Sequence, residues 1–378
     1  MKKIKIILLS ILIILSFQEM AFAQEAVTED TYEKLYWHSG AGGLEDSLPS
    51  EAQEILNQLG IDNADFNSIF KADFKSILRL FYKIACKNID GPLKLLFKVI
   101  GVLILTSIVK ILIPESSGQS TGVNILLSSV IVLSVLAPIS NAIVRSVTAI
   151  ESSCDFMKLL IPVFAGIIAM SGNPLMAFSY NSLTLFMAEG ICTLSSNTVI
   201  SLMGAYTALC AVTGVASELN LNGVADLFKK TAITVLSVCA ALFSAALSLK
   251  GIMAGAADNL MSRGIKLAIS TAIPIVGGAL SEAYSSIIGS LALLKSAVGM
   301  FCIMSVLAIN IPVIIELASY IACFKISSAV AALFNNHSAA RIIDNICSTF
   351  TILNVTVIFE GVVFIISSAI ILSLRTLI

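Results

Sequence analysis

Residues 93–113 read LKLLFKVIGVLILTSIVKILI. Lysines stand only near its ends, at positions 94, 98 and 110, and everything between is apolar or weakly polar. About 20 such residues, at a rise of about 1.5 Å each, cross the hydrocarbon of a bilayer. Lipid offers no partner to a backbone N–H, so a segment of this kind must bond its own backbone and form a helix. The pattern then repeats to the end of the sequence. The 286 residues from Leu93 to Ile378 carry 25 charged side chains, most of them between apolar runs. A water-soluble domain needs a charged surface, and this stretch cannot supply one. It specifies an all-α, polytopic membrane domain.

The whole composition agrees. Of 378 residues, 57% are hydrophobic and 12% charged, where a soluble domain carries roughly 25% charged. Mean hydropathy is +0.96. The net charge of −1 and the lack of a basic, aromatic-studded stripe argue against a nucleic-acid partner and leave the bilayer as the first one. Eight cysteines are scattered without a C-x-x-C, and most lie in apolar runs (Cys192, Cys210, Cys239, Cys302). They read as small packing residues rather than as a disulfide framework or a metal site.

Working back from Leu93, residues 24–92 form the one water-compatible block, with 12 acidic and 6 basic side chains. Thr28 to Pro49 is polar, contains glycine, and is expected to be irregular. Ser50 to Leu59 predicts a short helix capped by Ser50 and stopped by Gly60. A second helix is expected from about Asp65 to Ile89. On it Lys71, Lys75, Arg79, Lys83 and Lys87 recur every four residues, along one slowly drifting face. A basic amphipathic helix leading into a span suits an anionic membrane surface or an acidic partner. Gly91-Pro92 is expected to punctuate before the spans begin.

Residues 1–23 have the parts of a secretory signal peptide. Lys2, Lys3 and Lys5 form a basic start, Ile6 to Phe17 an apolar core, and Ala21-Phe22-Ala23 an A-x-A cleavage site. This places Gln24 outside the cytoplasm, whereas the positive-inside rule would keep the Lys71–Lys98 run inside. The three-part signal outweighs the charge rule, and an exterior basic segment implies something for it to bind.

Along the apolar domain about eight to ten membrane segments are expected. Leu93–Ile113 and Val123–Val144 are the clearest. Phe156–Ser171 and Leu267–Leu280 are short and hold Pro162 and Pro274, and Ile287–Phe334 has room for two spans bent at Pro312. Ile161-Pro162-Val163-Phe164-Ala165-Gly166 echoes Ile273-Pro274-Ile275-Val276-Gly277-Gly278, the kind of paired, broken segment that marks duplicated transporters. Gly251-x-x-x-Gly255, within an alanine-rich run, suits close helix packing or a homo-oligomer.

Catalytic, cofactor and metal motifs are missing. The sequence has no G-x-x-x-x-G-K-[ST], no H-E-x-x-H and no G-x-S-x-G, and Ser107 to Lys110 fits S-x-x-K only as the end of a span. Charges inside apolar runs carry more meaning, because one at the bilayer centre costs about 3 kcal/mol or more and so faces a partner or a cavity. Glu189, Lys295, Glu316, Lys325 and Glu360 are such residues. Glu316 and Glu360 are candidates for an intramembrane polar cluster, with Lys295 as a partner for either. Lys295 and Lys325 both read better as lysines snorkelling from near helix ends.

Several stretches occur together in order. Ala257-Asp258 is followed by Arg263 and Lys266, then Ile273-Pro274-Ile275-Val276-Gly277 and Ser281-Glu282-Ala283. Leu293-Leu294-Lys295-Ser296-Ala297-Val298-Gly299 and Pro312 come next; Ile161-Pro162, Ser171-Gly172 and Val224 to Lys230 lie upstream. In these the chain resembles the family of stage III sporulation protein AE, from about Leu93 onward, with Asn259 and Gly264 departing from the pattern. The resemblance implies a role in endospore formation, in the mother-cell membrane around the forespore. It implies an assembly with the other stage III A sporulation membrane proteins that meets stage II sporulation protein Q from the forespore side. Such an assembly forms a channel or secretion-like apparatus, within which this chain would be a non-enzymatic core. The resemblance makes Asp258, Arg263, Lys266, Pro274, Gly277, Lys295, Gly299 and Pro312 signature positions at a loop and at helix breaks. A stand-alone permease coupled through Glu316 and Glu360, and a purely structural scaffold, are the other functions compatible with the residues.

Overall fold

A computed structural model describes residues 29–61, 74–112, 119–171, 174–215, 221–257, 277–334 and 336–373. Among them every regular element is helical. Two short helices, α1 (Glu29–His38) and α2 (Ser50–Gln58), precede the long ones. These are α3 (Phe74–Leu112), α4 (Gln119–Met170), α5 (Pro174–Thr193), α6 (Ile200–Val215), α7 (Asn222–Ala257), α8 (Gly277–Leu333) and α9 (His337–Ser373). A π-helical stretch, Leu194–Val199, joins α5 to α6 without a loop.

Six helical stretches among the described residues are long and apolar enough to cross a membrane. Among the described residues, several of the expected segments fuse into longer helices. Val123–Val144 and Phe156–Ser171 belong to the single helix α4, Leu175–Leu194 and Thr198–Ala216 run together through the π stretch, and Ile287–Phe334 is one helix. Pro162 and Pro312 sit inside α4 and α8, and Pro92 sits inside α3. The amphipathic basic helix therefore does not stop at Gly91-Pro92 but continues into the first span. A proline removes one N–H from the ladder; neighbouring helices, and hydroxyl side chains bonded back to the backbone, let membrane helices accept that loss. The expected segment Leu267–Leu280 lies almost wholly outside the described residues, as does the 1–23 leader.

Burial ranks the helices. Within the apolar windows, 72% of the α8 window and 67% of the α9 window is buried, against 29% for α3 and 17% for α7. The bundle is thus centred on α8 and α9, an antiparallel pair joined by a short turn, with α3 and α7 at the periphery. Phe301, Phe324, Phe350 and Phe364 fill the seam between the central pair, with α4 packed on it through Phe156, Leu160 and Phe164. Buried hydroxyls bond back to the carbonyl four residues earlier. Ser146 does so to Ala142 at 2.7 Å, Thr356 to Ile352 at 2.8 Å and Ser368 to Phe364 at 2.9 Å, so they enter the core without an orphaned donor.

The water-compatible block is part of this bundle. Leu44, Leu48, Ala52, Leu56 and Ile61 are buried in the same continuous core as α8. Glu29–His38 is helical where irregular chain was expected. Helix α2 matches expectation, except that Pro49 stands at the cap and Ser50 opens the helix. Gly60 ends the motif at φ +73°, a left-handed conformation that favours glycine.

Candidate functional site

Three polar places interrupt the apolar interior. The first lies beside Pro312. Arg145, the one charged residue between Val123 and Ile150, reaches from α4 to Glu316 on α8 with Nη1 2.6 Å from Oε2. Its other nitrogen lies 3.5 Å from Glu51 of α2. One guanidinium therefore joins three elements, including the N-terminal block. A pocket of about 130 Å³ adjoins it, lined by Pro49, Glu51, Arg145, Ser152, Ala308 and Val313 among others. Pro312 deprives the Ala308 carbonyl of its helical donor, so the polar seam sits where the α8 ladder is interrupted.

The second is deeper. The sulfurs of Cys154 on α4 and Cys192 on α5 are in bonding contact as a disulfide pair, with Cα atoms 6.3 Å apart. Glu360, fully buried on α9, faces them: its Oε1 is 2.8 Å from Cys154 Sγ and 3.6 Å from Cys192 Sγ. Next to Cys154, Ser153 Oγ accepts from Asn310 Nδ2 of α8 at 2.9 Å. Asn310 in turn lies over Gly361, where an added β-carbon would stand 3.6 Å from its Nδ2. Four helices thus bring polar atoms to one buried spot.

The third is a cleft of about 380 Å³ between the end of α6 and the starts of α7 and α9, lined by Tyr206, Asn222, Asp226, Arg341, Asp344 and Asn345 among others. Beside it, Lys229 donates to Ser348 at 3.1 Å and stands 5.7 Å over the Tyr206 ring.

Glu316 and Glu360, the two expected cluster residues, take different partners. Arg145 holds the first and the cysteine pair meets the second. Lys295 is buried on α8. Gly299 marks a tight helix crossing, since a β-carbon there would lie 2.7 Å from Leu372 Cγ of α9. Gly277 opens α8, and Pro312 lies inside it rather than at a break. Asp258, Arg263, Lys266 and Pro274 fall outside the described residues. Glu189 and Lys325 make surface ion pairs, to Lys158 at 3.0 Å and to Asp344 at 3.2 Å.

Sequence reasoning missed Arg145, although a lone arginine in a long apolar run is itself a signal. It also missed the cysteine pair: Cys192 reads as a packing residue, and the partner weighed for Cys154 is Cys86, which is free and exposed. Cys154 and Cys192 are 38 residues apart and no motif links them.

Six apolar helices around a core with buried polar contacts define a polytopic helical membrane protein. A family model described as stage III sporulation protein AE matches residues 62–374, and the chain belongs to that family of sporulation membrane proteins. Stage III sporulation protein AE of Bacillus subtilis (strain 168) is 25% identical over 239 residues, a stretch covering 62% of this chain and 60% of that protein. No solved structure matches the chain.

Proposed function

We propose that this chain is a non-enzymatic membrane component of the assembly that the other stage III A sporulation proteins build in the mother-cell membrane, facing the forespore and stage II sporulation protein Q. Family membership supports the setting. The observation that carries the component reading is the way the N-terminal block is mounted. Its helices pack on α8 and are tied by Glu51 to Arg145, which fixes them to the bundle rather than leaving them on a tether. From that mount Trp37 is 64% exposed, and α3 presents Arg79, Lys83, Lys87, Lys94 and Lys98 outward. A rigid block with an exposed tryptophan, braced by Tyr36, beside a basic helix face has the features of a docking surface for an acidic protein partner.

The experiment is co-purification from sporulating cells. Replacing Lys83 and Lys87 by glutamate should remove the other stage III A proteins from the tagged chain and lower spore yield, while the chain remains in the membrane. Unchanged recovery of the partners with a normal spore yield would rule out this docking face. Solute movement by the purified chain alone in vesicles would favour a permease instead.

A further inference from the structure

The Cys154, Cys192 and Glu360 cluster has a composition that packing does not explain. A structural disulfide is apolar and gains nothing from a carboxylate in the membrane interior. Yet Glu360 is 0% exposed, stands against both sulfurs, and makes no ion pair among the described residues. Its second oxygen, Oε2, has no hydrogen-bond partner there either. A carboxyl in this position either keeps its proton or meets a cation, and the two sulfurs beside it supply the rest of a cation site.

The donor set says which cation fits. One ligand atom from each of the three residues falls within 4.8 Å of the other two, and all three residues are buried. Two sulfurs and one oxygen from rigid helices suit a thiophilic divalent ion, which takes thiolate at about 2.3 Å and carboxylate oxygen at about 2.0–2.2 Å. Hard cations such as magnesium or calcium select all-oxygen sites and fit poorly. Ser195 and Asn310 offer buried neutral oxygens of the kind a fourth ligand would need. Ser195, three residues past Cys192 and inside the π-helical stretch, has a fully buried hydroxyl without a partner among the described residues, and so does the Asn310 side-chain oxygen. Single π turns in membrane and soluble helices alike gather at functional positions.

We infer that Cys154, Cys192 and Glu360 form, when the two cysteines are dithiol, a buried site for one thiophilic divalent cation of the zinc class, clamping α4, α5 and α9 together. Binding replaces two thiol protons, which leave to solvent, by two metal–sulfur bonds, with no change in oxidation state. Oxidation of the same pair to a disulfide removes both sulfur ligands, so metal and disulfide are mutually exclusive.

The test uses the full chain purified in mild detergent under reducing conditions, then freed of reductant under argon. Zinc content is read by mass spectrometry, and Co²⁺ is titrated for the thiolate-to-cobalt absorption band. About one equivalent per chain is expected, with that band present. Cys154→Ser and Cys192→Ser should each lose the band. Glu360→Gln should weaken Co²⁺ binding at least tenfold while both thiols still react with maleimide after denaturation. Cys302→Ser, at a buried cysteine outside the cluster, should bind like the parent. Bound zinc should also slow maleimide labelling of Cys154 and Cys192 in the folded parent, a readout independent of any variant's folding. The inference fails if the reduced parent binds neither ion, or if Glu360→Gln binds as tightly as the parent. Full recovery of the Cys154–Cys192 pair as a disulfide from freshly alkylated cells would also overturn it.

Discussion

Arg145 and Glu316 meet at 2.6 Å across two helices, on the flank of a proline and within reach of the N-terminal block. Glu316 is mostly buried and Arg145 is about one-third exposed, so the pair is neither a surface bridge nor a fully dry one. Removing one member leaves the other charge in poor surroundings, which is where the energetic asymmetry of such pairs lies.

Arg145→Ala should therefore destabilise the protein more than the weaker contact predicts. About 1–3 kcal/mol is expected, below the fully buried case because water still reaches the guanidinium. Glu51→Ala should cost under about 1 kcal/mol, since Glu51 is half exposed and 3.5 Å away. Apparent melting temperature in detergent checks the order; equal losses for the two variants would contradict it.

Gly299→Ala should be destabilising by about 1–3 kcal/mol through overpacking against Leu372. Adding Leu372→Ala should recover part of that loss, because the two atoms that collide are then gone. Gly190→Ala is the control. Nothing lies within 4 Å of its missing β-carbon, and alanine favours helix by up to about 1 kcal/mol. Thermal scans of the two single variants and the double variant measure this.

Thr207 and Thr349 share a buried hydrogen bond of 2.7 Å between α6 and α9. Thr207 already donates to the Met203 carbonyl, so Thr349 is the donor of the pair; Thr207→Val should cost about 1–2 kcal/mol, since it strands the Thr349 hydroxyl, whereas the double Thr→Val change should cost less than the sum of the two single changes. A double-mutant cycle on apparent stability decides it; strict additivity would show that the bond contributes nothing.

Glu189→Gln, at an exposed pair with Lys158, should shift stability by no more than about 0.5 kcal/mol, and less still in high salt. A larger loss in a stability assay at two salt concentrations would mean that the pair is shielded by something bound to that face.

Much of this fold is legible in the sequence because lipid imposes one rule on every segment. Leu93 onward had to be helical, and Glu360 had to be buried against a partner. What failed were the breaks. Gly91-Pro92, Pro162 and Pro312 end helices in water, where the freed carbonyl turns to solvent, but within a bundle their helices continue. The partners failed for a different reason. Arg145 with Glu316, and Cys154 with Glu360, are separated by 171 and 206 residues. Their meeting depends on which helices lie side by side, and helix neighbours in lipid are chosen by close packing that apolar patterning does not encode. The N-terminal block was misjudged at Thr28 to Pro49 because its glycines and short length mask the apolar residues that hold it to α8.

Helix α8 has 57 residues in unbroken succession, a length of about 85 Å where the hydrocarbon of a bilayer is about 30 Å thick. Glu316 lies on that helix, and through Arg145 it holds Glu51. A force applied to the N-terminal block is therefore delivered to α8 four residues from Pro312, at the turn where its hydrogen-bond ladder is interrupted. Whatever grips the block pulls on the place where the longest helix bends most easily.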